Sequence, residues 1–213
     1  MWEDRYSKSE DYLFGTAPAQ FLRENPGWLV PGRSALCVAD GEGRNSVHLA
    51  RCGLDVTAFD LSPTAVERAR ALAAENGVSA NFNVSDWDAW RWDDPAYDLV
   101  VAIFIQFAGP SERGQQFANL KSAVKPGGVL MLHGYRPEQI ELGTGGPPFA
   151  ENMYTEEILR KYFGNWRIER LAGYERDVQE GRGHSGKSAL IDLIAREPDR
   201  GLLAFPAASG EDI

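Results

Sequence analysis

The 213-residue chain is long enough for one large α/β domain and short for two. Apolar residues make up 43% of it, which allows a substantial core and argues against wholesale disorder. Lysine and arginine number 22 against 31 acids, a net charge of −9 without a dense basic cluster, so a nucleic-acid partner is disfavoured.

In chain order, the opening Met1-Trp2-Glu3-Asp4-Arg5-Tyr6 has neither the basic region nor the apolar run of a signal peptide. Residues 34–39 (SALCVA) read as a first strand that runs into Asp40-Gly41-Glu42-Gly43. A helix over 44–52 closes at Gly53, and a second strand over 55–59 ends in Asp60. Ser62 and Pro63 open the next helix as N-cap and first-turn proline. Its Ala65, Ala69 and Leu72 are spaced to pack inward, and Asn76-Gly77 stops it. Cys37 and Cys52 each sit next to apolar residues and read as buried, reduced thiols; no metal-ligand cluster stands out.

The alternation continues with strands over 80–84 and 97–105, the second (YDLVVAIFI) apolar enough to be buried on both faces. A helix over 111–124 follows, and Lys125-Pro126-Gly127-Gly128 turns the chain into a strand over 129–133. Residues 134–152, rich in glycine and proline, are expected to form a loop over the site. After a helix near 155–163 come two strand-like runs, 166–176 and 188–196, whose connection over 177–187 suits a hairpin better than a parallel crossover. The expected fold is therefore α/β and Rossmann-like: a mostly parallel sheet, helices on both faces and a C-terminal antiparallel hairpin. One domain over 1–197 and a fraying tail over 198–213 complete the organisation. No apolar run approaches the ~18 residues of a membrane span, so the chain reads as cytoplasmic, without a membrane partner.

Three signals carry chemistry. Gly41 and Gly43 lie where a strand meets a helix N-terminus, so a ligand can approach the backbone closely. Asp60 ends the next strand, at the distance downstream where an acid accepts hydrogen bonds from ribose hydroxyls; capping the following helix is its alternative role. Ser46 stands where a nicotinamide fingerprint requires its last glycine, which turns the reading away from a dehydrogenase. At the end of the third strand, Asp86 is placed to accept from an adenine amino group. Trp87 offers it a backbone N–H or a ring face, or else packs in the core.

The segments ALCVADGEGRNSVHLA (35–50), DVTAFDLSPTAVERA (55–69), KPGGVLMLHGY (125–135) and HSGKSALIDLIARE (184–197) resemble the class I S-adenosylmethionine-dependent methyltransferases. Within them the chain is most similar to the small bacterial branch related to tellurite-resistance methyltransferases, an affinity its opening WEDRYSKSEDYLFGTAPAQFL shares. The resemblance implies S-adenosyl-L-methionine as cofactor and residues 1–30 as a segment covering it, with Tyr12 and Phe14 either folded over the cofactor or packed as aromatics. Cofactor contacts are expected from Ala39, Asp40, Gly41, Glu42, Gly43, Asn45, Asp60, Leu61, Ser85, Asp86, Trp87 and Ile103. One departure matters. The family has an acid at the start of the glycine motif and a glycine two positions on, where this chain has Cys37 and Ala39. The anchor for the methionine ammonium must come from elsewhere, Asp40 or a backbone carbonyl.

The cofactor brings a sulfonium leaving group, so the protein must align a small-molecule acceptor behind the methyl carbon and exclude water. A thiolate or chalcogen oxyanion needs little more, whereas a hydroxyl or amine needs a base. The candidates for base or acceptor contact are His133 and His184 as catalytic groups, with Tyr12, Gln106, Tyr135 and Arg136 lining the acceptor. His184 is expected on the hairpin connection, and His48, inside the first helix, reads as structural. The rival functions are a non-catalytic S-adenosylmethionine-binding protein and a nicotinamide-dependent oxidoreductase.

Overall fold

The computed structural model describes residues 2–8, 11–93, 96–181 and 183–198, so the tail expected over 198–213 lies outside it from residue 199 onward. Two short helices, α1 (Trp2–Ser7) and α2 (Gln20–Glu24), precede the sheet. Then follow β1 (Ser34–Val38), α3 (Arg44–Arg51), β2 (Asp55–Asp60), α4 (Pro63–Glu75), β3 (Asn81–Val84) and β4 (Tyr97–Ile103). The second half holds α5 (Arg113–Ala123), β5 (Val124–Tyr135), α6 (Gln139–Leu142), α7 (Glu156–Phe163), β6 (Arg167–Glu180) and β7 (His184–Arg196). The strands form one seven-stranded sheet in the order β3-β2-β1-β4-β5-β7-β6. The first five are parallel, and β7 pairs antiparallel with both β5 and β6.

Alternation along the central strands explains the layers. Ala35, Cys37, Leu99, Val101 and Met131 face a core closed by α2, α3 and α4, while Leu36, Val38, Val100, Leu130 and Leu132 face one closed by α5 and α7. The helices start where the sequence can cap them. Ser62 Oγ accepts from Ala65 N at 3.1 Å with Pro63 in the first turn, and Thr155 Oγ1 accepts from Ile158 N at 3.2 Å. In α7 the acids Glu156 and Glu157 stand at the N-terminus and Arg160 and Lys161 at the C-terminus, complementing the helix dipole. Among the described residues no helix is long and apolar enough to cross a membrane.

The structure corrects several boundaries. Strand β4 stops at Ile103 rather than Ile105, because Phe104 turns into the left-handed region with φ +55° while its N–H donates to His133 O at 2.8 Å. Strand β5 already begins at Val124, so Lys125-Pro126-Gly127-Gly128 is an irregular strand entrance whose register shifts between Tyr97 and Leu99. Strand β5 runs on through Gly134 and Tyr135, so the following loop begins at Arg136, and that loop contains α6 and a short 3-10 turn at Ala150–Asn152. The hairpin is longer than expected, with pairing maintained out to Glu180 and His184, so most of 177–187 is strand. Its polar residues misled because β6 is a sheet edge, where outward positions face water. Cys37 is a buried free thiol as expected, but Cys52 is only half-buried, 3.9 Å from His48 Nε2.

Gly43 fixes how α3 starts. It has φ +88°, and a Cβ there would meet Cα and Cβ of Ala69 in α4 at 2.7 Å. Gly43→Ala is expected to destabilise the fold by about 2–4 kcal/mol, from left-handed strain and overpacking together. Thermal unfolding checks this; an unchanged midpoint would contradict the close approach of the two helices.

Candidate active site

The parallel strands deliver their C-terminal ends to one edge, where open α/β sheets bind ligands. There the loop after β1 passes through three left-handed residues, Ala39 (φ +47°), Gly41 (φ +63°) and Gly43 (φ +88°). A non-glycine residue at the first of these carries strain of about 1–2 kcal/mol. The Gly41 N–H donates to Asp60 Oδ2 at 2.8 Å, and the Ser62 N–H donates to Asp60 Oδ1 at 2.9 Å. Asp60 is buried, and burial raises its carboxyl above the ordinary range while the two N–H groups oppose that. Asp40 hangs from the same loop and accepts from Ser46 Oγ and, at 3.3 Å, from Ser46 N. It keeps partial access to solvent but is surrounded by protein, and its carboxyl is pushed up to about 7, chiefly by lost hydration, with Asp60 adding. A small cavity beside it is lined by Cys37, Asp40, Asn45, Val101 and Ile103, and burial holds the Cys37 thiol well above its ordinary range.

The N-terminal segment lies over this loop and is tied down by side chains expected to face the cofactor. Glu42 Oε2 accepts from Leu13 N at 2.7 Å while Oε1 pairs with Arg68 at 2.6 Å, and Asn45 Oδ1 accepts from Ala19 N at 2.9 Å. Tyr12 donates to Arg68 O at 3.3 Å. Glu3, in α1, accepts from Ser62 Oγ and, at 2.5 Å, from Thr64 Oγ1. The Tyr6 hydroxyl lies where a Cβ on Gly41 would come within 2.8 Å of it. Burial, reinforced by Asp60, Glu42 and Asp40, pushes that phenol well above its ordinary range. The clamp reaches the hairpin tip, where Glu180 accepts from Gln20 N at 2.9 Å and pairs with Arg44 at 2.7 Å, both charges buried. Burial works to raise the Glu180 carboxyl, but the Arg44 guanidinium and the Gln20 N–H hold it well below the usual range.

Among the remaining residues, Leu61 is 57% exposed beside Asp60, and Ser85 N donates to Asp60 O at 3.0 Å. Asp86 is exposed and accepts from Ala89 N at 2.7 Å, while the Trp87 ring packs against Trp92 at 4.5 Å and Phe107 at 5.5 Å. His184 is not on a surface turn. It is buried in β7 with ring centroids 4.5 Å from Phe14, 4.2 Å from Phe104 and 5.8 Å from Tyr135. Burial pushes its imidazole below the usual range despite Glu180, whose 4.0 Å separation is too long for a hydrogen bond. Gln106 is spent on the backbone, accepting from Tyr135 N at 2.6 Å and donating to Tyr135 O at 2.7 Å. Tyr135 is buried, and Arg136 pairs with Glu138 at 2.5 Å. A second cavity, lined by Phe21, Phe104, His133, Tyr174, Arg176 and Glu180, opens between α2 and the hairpin.

Ala39, Asp40, Gly41, Gly43, Asp60 and Ile103 thus converge on one edge, with Leu61, Ser85 and Asp86 beside them and His133 and His184 both in ring contact with Phe104. Glu3, Tyr6, Arg44, Glu180 and Asp192 escaped the sequence reading. A lone acid inside the apolar run ALIDLIA was the available signal for Asp192, since a buried charge requires partners.

Residues 35–128 match the family described as a methyltransferase domain. An uncharacterized protein of Mycobacterium tuberculosis is 31% identical over 136 residues, covering 57% of this chain and 49% of that protein. The ribosomal protein L11 methyltransferase of Burkholderia vietnamiensis is 31% identical over 133 residues, covering 60% of this chain and 42% of that protein. The chain therefore spans about half the length, or less, of these curated relatives. Among solved structures, one described as the conversion of a disulfide bond into a thioacetal group during echinomycin biosynthesis superposes with a TM-score of 0.73 at 20% identity, covering 93% of this chain and 92% of that one. TehB from Haemophilus influenzae gives 0.69 at 18% identity, covering 92% and 67%. Magnesium protoporphyrin IX methyltransferase from Synechocystis PCC 6803 with bound SAH gives 0.63 at 21% identity, covering 82% and 78%. At these identities the structural likenesses establish the fold.

Asp40 provides a ligand-free check on the electrostatics of the loop. With its carboxyl raised from 3.8 to about 7, ionisation costs the folded state nothing at the acid end and its full amount above about pH 7. Asp40→Asn is expected to leave stability unchanged near about pH 4 and to raise it by on the order of a few kcal/mol near about pH 8. Denaturant unfolding at both ends measures it; an equal effect at both would contradict the raised carboxyl.

Proposed function

We propose that this chain, whose residues 35–128 match a methyltransferase domain and whose fold is similar to that of TehB, uses S-adenosylmethionine to methylate a small-molecule acceptor. The observation that carries the reading is Asp60, a buried carboxylate at a parallel strand end, already oriented by the N–H groups of Gly41 and Ser62. Each of its oxygens retains acceptor capacity, which suits the paired hydroxyls of a ribose. The residues present fit the rest of the cofactor. Leu61 offers an exposed apolar face beside that ribose position, and Asp86 carries an exposed carboxylate at the next strand end. Asp40, beside the cavity lined by Cys37 and Ile103, supplies the acid that the motif lacks at Cys37, a partner for the amino group.

When bound, the cofactor supplies a methyl group on a cationic sulfonium. The work left to the chain is to hold the acceptor in line and keep water out. The clamps from Leu13 to Glu42, Ala19 to Asn45 and Gln20 to Glu180 draw the N-terminal segment over the loop, a cover that favours a low-molecular-weight acceptor over a polymer. The acidic net charge of −9 points the same way for nucleic acids. A cofactor-binding protein without transfer is the second reading, favoured by the close cover itself; label from methyl-labelled cofactor appearing in an acceptor excludes it.

S-adenosylhomocysteine is expected to bind and NAD not to, and calorimetry with both decides; binding of NAD alone would overturn the assignment. Asp60→Ala should weaken S-adenosylhomocysteine at least about tenfold, because charge-assisted hydrogen bonds contribute about 1.5–3 kcal/mol each. An unchanged dissociation constant would leave Asp60 with only its role toward Gly41 and Ser62.

A further inference from the structure

His133, on the wall of the second cavity, belongs to a charge arrangement that cofactor binding does not require. His133 Nδ1 lies 2.7 Å from Asp192 Oδ1, and both side chains are buried. The carboxylate also accepts from Tyr174 OH at 3.0 Å and, through Oδ2, from Arg170 Nε at 2.9 Å. Burial works to raise the Asp192 carboxyl, but His133 and Arg170 hold it below its usual range, so it stays ionised. An ionised carboxylate only accepts, so His133 carries a proton at Nδ1, and in the neutral ring the lone pair is at Nε2. Among the described residues nothing hydrogen-bonds to Nε2, and His133 lines the cavity. Phe21 stacks on the ring at 5.2 Å and 13°, and Phe104 meets it edge-on at 4.9 Å, fixing its plane.

Register places this imidazole beside the cofactor side of the site. His133 pairs with Ile103 across the parallel β4–β5 ladder, and Ile103 lines the cavity that also contains Cys37 and Asp40. Neighbouring strands lie about 4.8 Å apart, so the two cavities are one strand apart at the same sheet edge.

We propose that His133, positioned by Asp192, is the general base of this site, and that the acceptor it serves is a weakly acidic hydroxyl of the phenol or enol type. This rests on the methyl-transfer reading above. As the new O–C bond forms, the S–C bond breaks and its electron pair stays on sulfur. The O–H proton passes to Nε2, and Asp192 stabilises the resulting imidazolium through Nδ1–H. A phenol, with a reference value of about 10, lies within reach of an imidazole base, whereas a thiol at about 8.5 ionises far enough to react without one. Phe21, Phe104 and Tyr174 give the cavity beside His133 an aromatic lining. His133 would touch the acceptor; Asp192 acts only through it.

The test uses the full chain, labelled S-adenosylmethionine, and two probe sets: phenol, catechol and resorcinol against mercaptoethanol and dithiothreitol. Methylation of at least one phenol is expected, and His133→Gln should lower that rate at least about a hundredfold while S-adenosylhomocysteine affinity holds. Nitrogen-15 spectra of the wild-type imidazole should report the Nδ1–H tautomer, and Asp192→Asn should shift it toward a mixture and lower the phenol rate. The wild-type spectrum needs no variant to fold. Transfer to thiols alone, no transfer to any phenol, a His133→Gln rate within a few-fold of wild type, or an Nε2–H tautomer in the wild type each overturns the base assignment. Failure of the wild type to bind S-adenosylhomocysteine is a different result and removes the methyl-transfer reading as well.

Discussion

The carboxylate of Asp60 joins two strand ends that the rest of the site is built on. Its two oxygens take the N–H groups of Gly41 and Ser62, and so bind the glycine loop after β1 to the helix entrance after β2. An unpaired buried N–H costs about 1–3 kcal/mol, so this one acid removes two such penalties. The same loop must be left-handed three times within five residues, which glycine permits at Gly41 and Gly43 and which Ala39 endures. The proposed binding chemistry and the fold therefore rest on the same atoms.

A second layer of constraint couples the cover to the hairpin. Glu180, at the tip of β6, receives the N-terminal segment through Gln20 and the start of α3 through Arg44. A buried ion pair of this kind adds little net stability, yet breaking it by removing one partner leaves an uncompensated charge. Its value lies in geometry. It joins the segment over the glycine loop, the helix that follows that loop and the wall of the His133 cavity, so the proposed cofactor and acceptor sides share one electrostatic joint.

The first half of the fold was legible because its signals are local. Apolar runs of five or six residues, the left-handed glycines, and Ser62-Pro63 as a cap each act within a few positions, and β1, α3, β2 and α4 fall where those signals put them. The second half was harder for a physical reason. Strand β6 is an edge whose outward residues are polar, and the end of β7 nearest the turn carries Ser185 and Lys187, so a continuous hairpin resembled a loop and placed His184 on a turn. The site divided similarly. The glycines and Asp60 lie at the strand ends that their spacing implied, whereas Glu42 and Asn45 hold the cover, and Gln106 the backbone of Tyr135. Partners distant in sequence, such as Asp192 for His133 across 59 positions, become visible only when the sheet aligns them.

At the centre of the account is a cofactor held between the glycine loop and the N-terminal segment. Amide hydrogen exchange, followed residue by residue with and without S-adenosylhomocysteine, tests it most directly. The reporting amides are Gly41, which donates to Asp60, and Leu13, Ala19 and Gln20, which donate to Glu42, Asn45 and Glu180. The account expects all four to exchange more slowly once the ligand is bound. Binding that leaves these amides unchanged while protecting another face of the sheet would contradict it.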